Sequence, residues 1–124
     1  MADWLAGYER AWRSPGTDVL AGLFTDQATY QPAPYDEPIQ GLAAIAAFWD
    51  AEREGPGETF TMDTEVMAVD GDQAVARVHV WYGDPPVREY RDLWLIRFAQ
   101  DGRCEAFEEW PFFPGQPRVA PDAP

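Results

Sequence analysis

Three side chains in the second half of the chain are of types that transfer protons: His79, Asp92 and Glu109. His79 is the only histidine, and imidazole alone among side chains has an ordinary pKa close to neutrality. Asp92 and Glu109 lie in segments rich in aromatic residues, where burial raises the pKa of a carboxyl group toward neutrality. These residues predict acid–base chemistry in an apolar cavity.

The three residues fall on three successive segments whose alternation of side chains is typical of antiparallel strands. The segments are AVARVHVWY (74–82), VREYRDLWLIRF (87–98) and CEAFEEWPFF (104–113). Short turns rich in glycine separate them, so each segment is expected to pair with the next.

Glu109 is the first candidate for the catalytic acid or base. It shares a face of its strand with Phe107, whereas its neighbour Glu108 points the opposite way. One of the two acids therefore faces solvent, and the sequence alone leaves open which one.

Asp92 is the second candidate, because it shares a face with Trp94 in the most apolar strand of the chain. A structural explanation remains open beside the catalytic one. Asp92 could pair with Arg77, Arg88 or Arg91, or accept a hydrogen bond from a Tyr or Trp, as buried acids usually do.

The elements before these strands are predicted from the spacing of apolar residues. Helices are expected over 3–12, from Thr17 to Phe24, and from Ile39 to near Glu54, and strands over 28–31 and 60–69. Three helices segregated to one side of a bent antiparallel sheet make an α+β fold, and such a sheet encloses a cone-shaped space.

The length, net charge and composition of the chain restrict the class of protein. The 124 residues suffice for a single domain, predicted over 1–113 and followed by a Pro-rich tail over 114–124. A net charge of -13 repels phosphate backbones and anionic membranes, so nucleic acid and membrane partners are not expected. The lone Cys104 and an acidic N-terminus without the basic start of a signal peptide favour a cytoplasmic protein.

Six aromatic residues are predicted to form the walls of the cavity and to bind a small, flat, largely apolar ligand. They are Tyr8, Tyr30, Trp49, Trp81, Trp94 and Phe107. Their alternative role is ordinary core packing, which we prefer for Trp49. No His, Cys or acid residues have metal-ligand spacing, so no metal or cofactor is expected.

Four segments resemble the nuclear transport factor 2-like superfamily and, within it, the SnoaL-like group. They are LFTDQATY (23–30), PIQGLAAIAAFW (38–49), AVDGDQAV (68–75) and LWLIRFAQDGRCEAFEEW (93–110). The resemblance implies a cone-shaped α+β barrel that binds a small molecule, and this scaffold carries isomerases, cyclases, epoxide hydrolases, dehydratases and non-catalytic binders.

The ketosteroid isomerase pattern of this superfamily is only partly present. Tyr8 resembles the Tyr of its oxyanion hole, but Pro32 falls where the catalytic base belongs and Trp94 falls near the second donor. Steroid isomerisation by that mechanism is therefore disfavoured.

The limonene-epoxide-hydrolase pattern is also incomplete. Tyr30 and Glu109 resemble its Tyr and its last acid, whereas Pro32, His79 and Trp81 replace its Asn, Arg and Asp. An epoxide hydrolase or a dehydratase is therefore the weaker enzyme alternative.

The SnoaL-like cyclase pattern needs only an acid on the last strands, and Glu109 resembles it. The resemblance thus implies cofactor-free proton transfer in a cyclase or isomerase, with Asp92, His79 and Tyr8 as orienting or donor groups. The competing hypothesis is a non-catalytic ligand-binding or dimerisation module.

The strand over 74–82 gives two conflicting indications. Hydrophobicity buries Ala76, Val78 and Val80, whereas the resemblance turns Arg77, His79 and Trp81 toward the cavity. Both can hold if a second subunit covers the other face of the sheet, and we therefore predict a homodimer.

Overall fold

A computed structural model describes residues 1–53 and 59–120 of the chain. The elements in chain order are α1 (Ala2–Arg13), a 3-10 helix (Asp18–Gly22), β1 (Phe24–Gln31), β2 (Ile39–Gln40), α2 (Leu42–Glu52), β3 (Phe60–Asp70), β4 (Gln73–Tyr82), β5 (Arg88–Phe98) and β6 (Cys104–Phe112). In these residues the strands form one six-stranded sheet in the order β2-β1-β6-β5-β4-β3. The pairing of β1 with β6 is parallel, and every other pairing is antiparallel. The fold is α+β, as predicted.

The prediction of three helices needs correction, because the described residues contain two α-helices and a 3-10 helix of five residues. The second predicted helix ends early because β1 begins at Phe24, four residues before the predicted strand. Cys104 N–H donates to the Leu23 carbonyl at 2.7 Å, which ties this point of the chain to β6. This interstrand hydrogen bond uses the Leu23 carbonyl, which a continuing helix would need for its own backbone hydrogen bond.

The start of α2 also differs from the prediction, since Ile39 and Gln40 pair with β1 instead of joining the helix. Gly41 separates the two elements with a φ of 91°, a backbone conformation that glycine adopts without strain. The predicted end of this helix near Glu54 and the turn over 55–57 lie outside the described residues.

Both α-helices pack against one face of the sheet, which we call the inner face, and the opposite face is called the outer face. The core lies between them and combines α1 residues such as Trp4 and Leu5 with Phe24, Ile45 and Phe107. The indole N–H of Trp4 donates to the Leu23 carbonyl at 3.0 Å, so this buried polar group is satisfied.

The C-terminal part of the described chain leaves the sheet at Phe112, where β6 ends. Residues 114–120, the first part of the predicted tail, are exposed. Residues 121–124 lie outside the described part. None of the helices within the described ranges combines the length and apolarity needed to cross a bilayer.

Candidate functional site

A cavity of about 300 Å³ lies between the inner face of the sheet and the two α-helices. Its walls are mainly aromatic, with several carboxyl groups among them. The lining residues are Tyr8, Trp12, Tyr30, Pro32, Asp36, Phe48, Glu52, Phe60, Met62, Val80, Tyr82, Arg88, Tyr90, Asp92, Trp94, Glu109 and Pro111. This size is at the lower end of the range for small-molecule sites.

Asp92 lies at the inner end of the cavity and is only 4% exposed. Its cross-strand partners are Val78 on β4 and Pro111 on β6, so apolar side chains flank it on both sides. The indole N–H of Trp94 donates to Asp92 Oδ2 at 3.4 Å. Asp92 Oδ1 is buried and has no N–H or hydroxyl donor among the described residues.

Glu109 reaches the same cavity because of the register between β5 and β6. It lies directly opposite Trp94, and Asp92 lies opposite Pro111, two residues further along β6. The two acids are therefore diagonal neighbours on one face of the sheet, a separation that side chains can bridge. Glu108 points to the outer face, where its carboxylate accepts a hydrogen bond from the Trp110 indole.

The pKa of both carboxyl groups is raised above its ordinary value, in each case chiefly by burial. The hydrogen bond between the two side chains raises the pKa of Glu109 further and lowers that of Asp92. The negative charge of Asp92 adds to the shift of Glu109. Burial, the hydrogen bond and the charge of Asp92 all act in the same direction on Glu109, and they favour its protonated form.

Two buried tyrosines lie beside the acid pair, and their hydroxyl oxygens are 2.8 Å apart in a hydrogen bond between Tyr8 and Tyr30. Burial raises the pKa of both hydroxyls well above its ordinary value. Both remain protonated, so the hydroxyl that accepts this bond keeps its own proton for a ligand oxygen.

Of the predicted wall residues, Tyr8, Tyr30 and Trp94 line the cavity. Phe107 lies behind them, with its ring centroid 4.6 Å from that of Tyr30 and 5.1 Å from that of Trp94. Trp49 is fully buried in the core and does not line this cavity, in agreement with the packing role preferred for it.

His79 and Trp81 require a correction, because both lie on the outer face, away from the cavity. The inner face of β4 carries Val78 and Val80, which are buried. His79 Nε2 lies 2.6 Å from Glu89 Oε2, and its ring stacks on Trp81 with centroids 3.6 Å apart. Hydrophobic alternation thus gave the right orientation of β4, and the family-based orientation did not apply.

Several lining residues were not proposed from the sequence as site residues. Tyr82 follows Val78 and Val80 on the inner face of β4, and Arg88 and Tyr90 precede Asp92 with the same alternation on β5. The period-two pattern could have identified these three. Glu52 comes from the end of α2, and only the tertiary fold brings it to the cavity.

The site offers acid–base groups and hydrogen-bond donors. Within the described ranges, no three His, Cys, Asp or Glu side chains come together as a metal site. The only cysteine, Cys104, is buried, and burial raises the pKa of its thiol to about 12. The reactive groups at hand are therefore the paired carboxyls and the paired tyrosines.

Comparison with known proteins gives the family and the fold. The profile of the SnoaL-like domain matches residues 5–107. No match was found among curated proteins. The structure resembles SalBIII, an epoxide hydrolase/cyclase-like enzyme in pyran ring formation in the polyether salinomycin, with a TM-score of 0.72 at 14% identity over 90% of this chain and 89% of that chain.

Two further proteins, both described as candidate polyketide cyclases, show the same architecture. The SnoaL-like protein from Jannaschia sp. CCS1 has a TM-score of 0.67 at 20% identity, over 89% of this chain and 85% of that chain. The protein from Sinorhizobium meliloti has a TM-score of 0.63 at 26% identity, over 86% of this chain and 93% of that chain. With the domain profile spanning most of its length, the chain belongs to the SnoaL-like family of the nuclear transport factor 2-like superfamily.

Proposed function

We propose that this protein binds a small, largely apolar molecule in the cavity and transfers protons on it without a cofactor, as a cyclase or isomerase does. The observation that carries the proposal is the pair of carboxyl groups, Asp92 and Glu109, which are diagonal neighbours on the inner face and line the cavity together. Two carboxyls with different protonation states provide a base and an acid at one place.

The roles follow from where the proton lies. Asp92, ionised and with a raised pKa, is the base that removes a proton from a carbon next to a carbonyl group. Glu109, the protonated partner, is the acid that returns a proton to the ligand. The Tyr8–Tyr30 pair donates a hydrogen bond to the carbonyl oxygen and stabilises the negative charge that develops there.

A direct test uses 2-tetralone, a bicyclic ketone with acidic α-hydrogens, in D2O. Nuclear magnetic resonance (NMR) spectroscopy would follow exchange of its α-hydrogens. We expect the wild type to accelerate this exchange. In each of Glu109→Gln and Asp92→Asn the exchange rate should fall by about 10²- to 10⁴-fold. Glu105 is an exposed acid on the same strand as Glu109, so Glu105→Gln serves as the matched control. This variant should exchange the α-hydrogens at the wild-type rate.

The competing hypothesis of a non-catalytic binding module is separated by the same experiment. A binder would hold 2-tetralone with no exchange above that of buffer, and Glu109→Gln would change nothing but affinity. Circular dichroism of each variant shows whether its fold is kept, so that loss of exchange is not confused with unfolding.

Ring closure by epoxide opening is the second candidate, favoured by the position of the acid beside the carboxylate. Glu109 would protonate the epoxide oxygen as its C–O bond breaks, while Asp92 takes the proton of a hydroxyl that forms the new C–O bond. The similarity in fold to SalBIII supports this alternative at the level of the scaffold. Conversion of a racemic epoxy alcohol to a cyclic ether in excess over buffer would identify it.

The predicted homodimer is part of the proposal, with the outer face as its interface. Leu93 pairs with Trp110 and Arg91 with Phe112 across β5 and β6, and Trp110 and Phe112 are 36% and 45% exposed. Neighbouring apolar side chains on an exposed sheet face are typical of protein–protein contacts. The sheet of the described residues is open, with β2 and β3 at its two edges, so the closed barrel is not formed. The cone shape of the space beneath the sheet stays a prediction, supported by the cavity between the helices and the inner face.

A further inference from the structure

The charges of the cavity are strongly unequal. Among its described lining residues, four carboxyl groups face one guanidinium group, that of Arg88. The guanidinium carbon of Arg88 lies 4.8 Å from the centroid of the Tyr82 ring, so this cation is already in contact with an aromatic face. The chain as a whole carries a net charge of -13, which repels anions as they approach.

The acids are arranged by depth. Asp36 and Glu52 are exposed and mark the opening of the cavity, whereas Asp92 is 4% exposed and lies at its inner end. Asp92 Oδ1 has no N–H or hydroxyl partner among the described residues. It is therefore a buried hydrogen-bond acceptor in the cavity, separate from the two exposed acids. Glu52 is close enough for its charge to act on Glu109. The negative potential therefore extends from the opening to the inner end.

The walls between these acids are rings whose faces attract cations. Trp12, Phe60, Tyr82 and Tyr90 line the cavity together with the buried Trp94. The face of an aromatic ring carries partial negative charge, so rings and carboxylates favour the same sign of ligand charge. A carboxylate or phosphate ligand would lose its hydration and would meet one guanidinium group, that of Arg88, among four carboxyl groups.

We infer that the cavity takes a largely apolar molecule with a basic nitrogen, bound as its ammonium form. The charge lies near the carboxylates of Asp36 and Glu52 at the opening, and the hydrocarbon part lies against the rings. The inference rests on the proposed use of this cavity as the ligand site and names the class of its ligand. It does not depend on whether the bound molecule reacts.

Three probes that share one hydrocarbon cage and differ in charge test the inference. They are 1-adamantylammonium, 1-adamantanol and 1-adamantanecarboxylate, each titrated into the full chain by calorimetry. We expect the ammonium to bind most tightly and the carboxylate most weakly. Added NaCl should weaken the binding of the ammonium and leave that of the alcohol unchanged, because screening acts on charges.

Variants locate the effect at the opening. Glu52→Gln and Asp36→Asn should each weaken the binding of 1-adamantylammonium about two- to fivefold, which is the scale of an exposed charge pair. The binding of 1-adamantanol should stay unchanged in both variants. Glu105→Gln removes an exposed charge that does not line the cavity, so it should alter the affinity for neither probe.

Three results would overturn the inference: tighter binding of the carboxylate, equal affinities for all three probes, or no binding of any of them at millimolar concentration. The probes carry no acidic C–H bond, so the outcome is independent of the α-hydrogen exchange that tests the proposed proton transfer. Selective ammonium binding without exchange of 2-tetralone would uphold the ligand class and reject the catalytic proposal.

Discussion

The carboxyl groups of Asp92 and Glu109 are hydrogen-bonded across two neighbouring strands, and this contact together with burial raises the pKa of Glu109. Their contact depends on the β5–β6 register, which sets Glu109 opposite Trp94 and makes Asp92 its diagonal neighbour. A shift of one residue in this register would exchange Glu109 for Glu108 on the inner face. The acid pair is thus a property of strand pairing as much as of residue type.

The protonated Glu109 predicts a pH dependence of stability. Because its pKa is higher in the folded than in the unfolded chain, the folded state binds more protons between the two values. Stability therefore falls as pH rises through this interval. Glu109→Gln replaces the protonated acid with a neutral amide that can still donate to Asp92. We expect the melting temperature of the variant to lie a few degrees above that of the wild type at pH 8. A shift of this size corresponds to about 1 kcal/mol in the free energy of unfolding for a domain of this length. The difference should vanish at acidic pH.

Thermal melting followed by circular dichroism across pH measures this effect. Glu105→Gln is the control, since it removes an exposed acid from the same strand and should leave the pH dependence as it is. A Glu109→Gln variant that is less stable than the wild type at pH 8 would show that Glu109 is ionised in the fold.

Trp94 predicts a separate titration effect at Asp92. The indole N–H of Trp94 donates to Asp92 Oδ2 at 3.4 Å, and a donor of this kind favours the charged form of the acid. In Trp94→Phe the donor is lost, so the pKa of Asp92, already raised by burial, should rise further. Carbon-13 NMR titration of the Asp92 carboxyl group would measure the change. Trp110→Phe removes the indole that bonds Glu108 on the outer face and should leave Asp92 unchanged.

The sequence predicted β3 to β6 well, but it missed β2 and the start of β1 and extended the second helix too far, for identifiable reasons. β4 and β5 carry alternating patterns, which depend only on the neighbouring residues and on the presence of one apolar face. Residues Asp18–Gly22 have helix-like spacing, but β1 starts at Phe24 because it pairs with β6, which lies 80 residues further along the chain. Local spacing cannot report a pairing of that range.

The candidate site was predicted in part for the same reason. Alternation brought Asp92 and Trp94 to one face correctly, and it could equally have excluded His79 and Trp81, which follow the outer face of β4. The choice between Glu108 and Glu109 needed the β5–β6 register. Glu52 needed the whole fold, since it lies at the end of α2 and not on a strand that lines the cavity.

The Tyr8–Tyr30 pair predicts non-additive effects on stability. Tyr30→Phe or Tyr8→Phe alone leaves one buried hydroxyl without its 2.8 Å partner, which should cost about 1–3 kcal/mol in the free energy of unfolding. The double variant removes both hydroxyls together, so its cost should be clearly less than the sum of the two single costs. Urea unfolding of the four proteins closes the cycle. Strictly additive costs would show that the two hydroxyls are independent.

The outer face predicts a change in assembly when its apolar surface is broken. Trp110, which is 36% exposed, lies beside Leu93 in the middle of this face. Trp110→Glu places a charge there, and a buried unpaired charge opposes association strongly, so we expect the dimer dissociation constant to rise about tenfold or more. Sedimentation velocity at micromolar concentration would measure it. Val87→Glu is the matched control, since Val87 is 79% exposed at the turn before β5 and the same change of charge there should leave the dimer intact. A wild type that sediments as a monomer would reject the interface, and the outer face would then be exposed in the working protein.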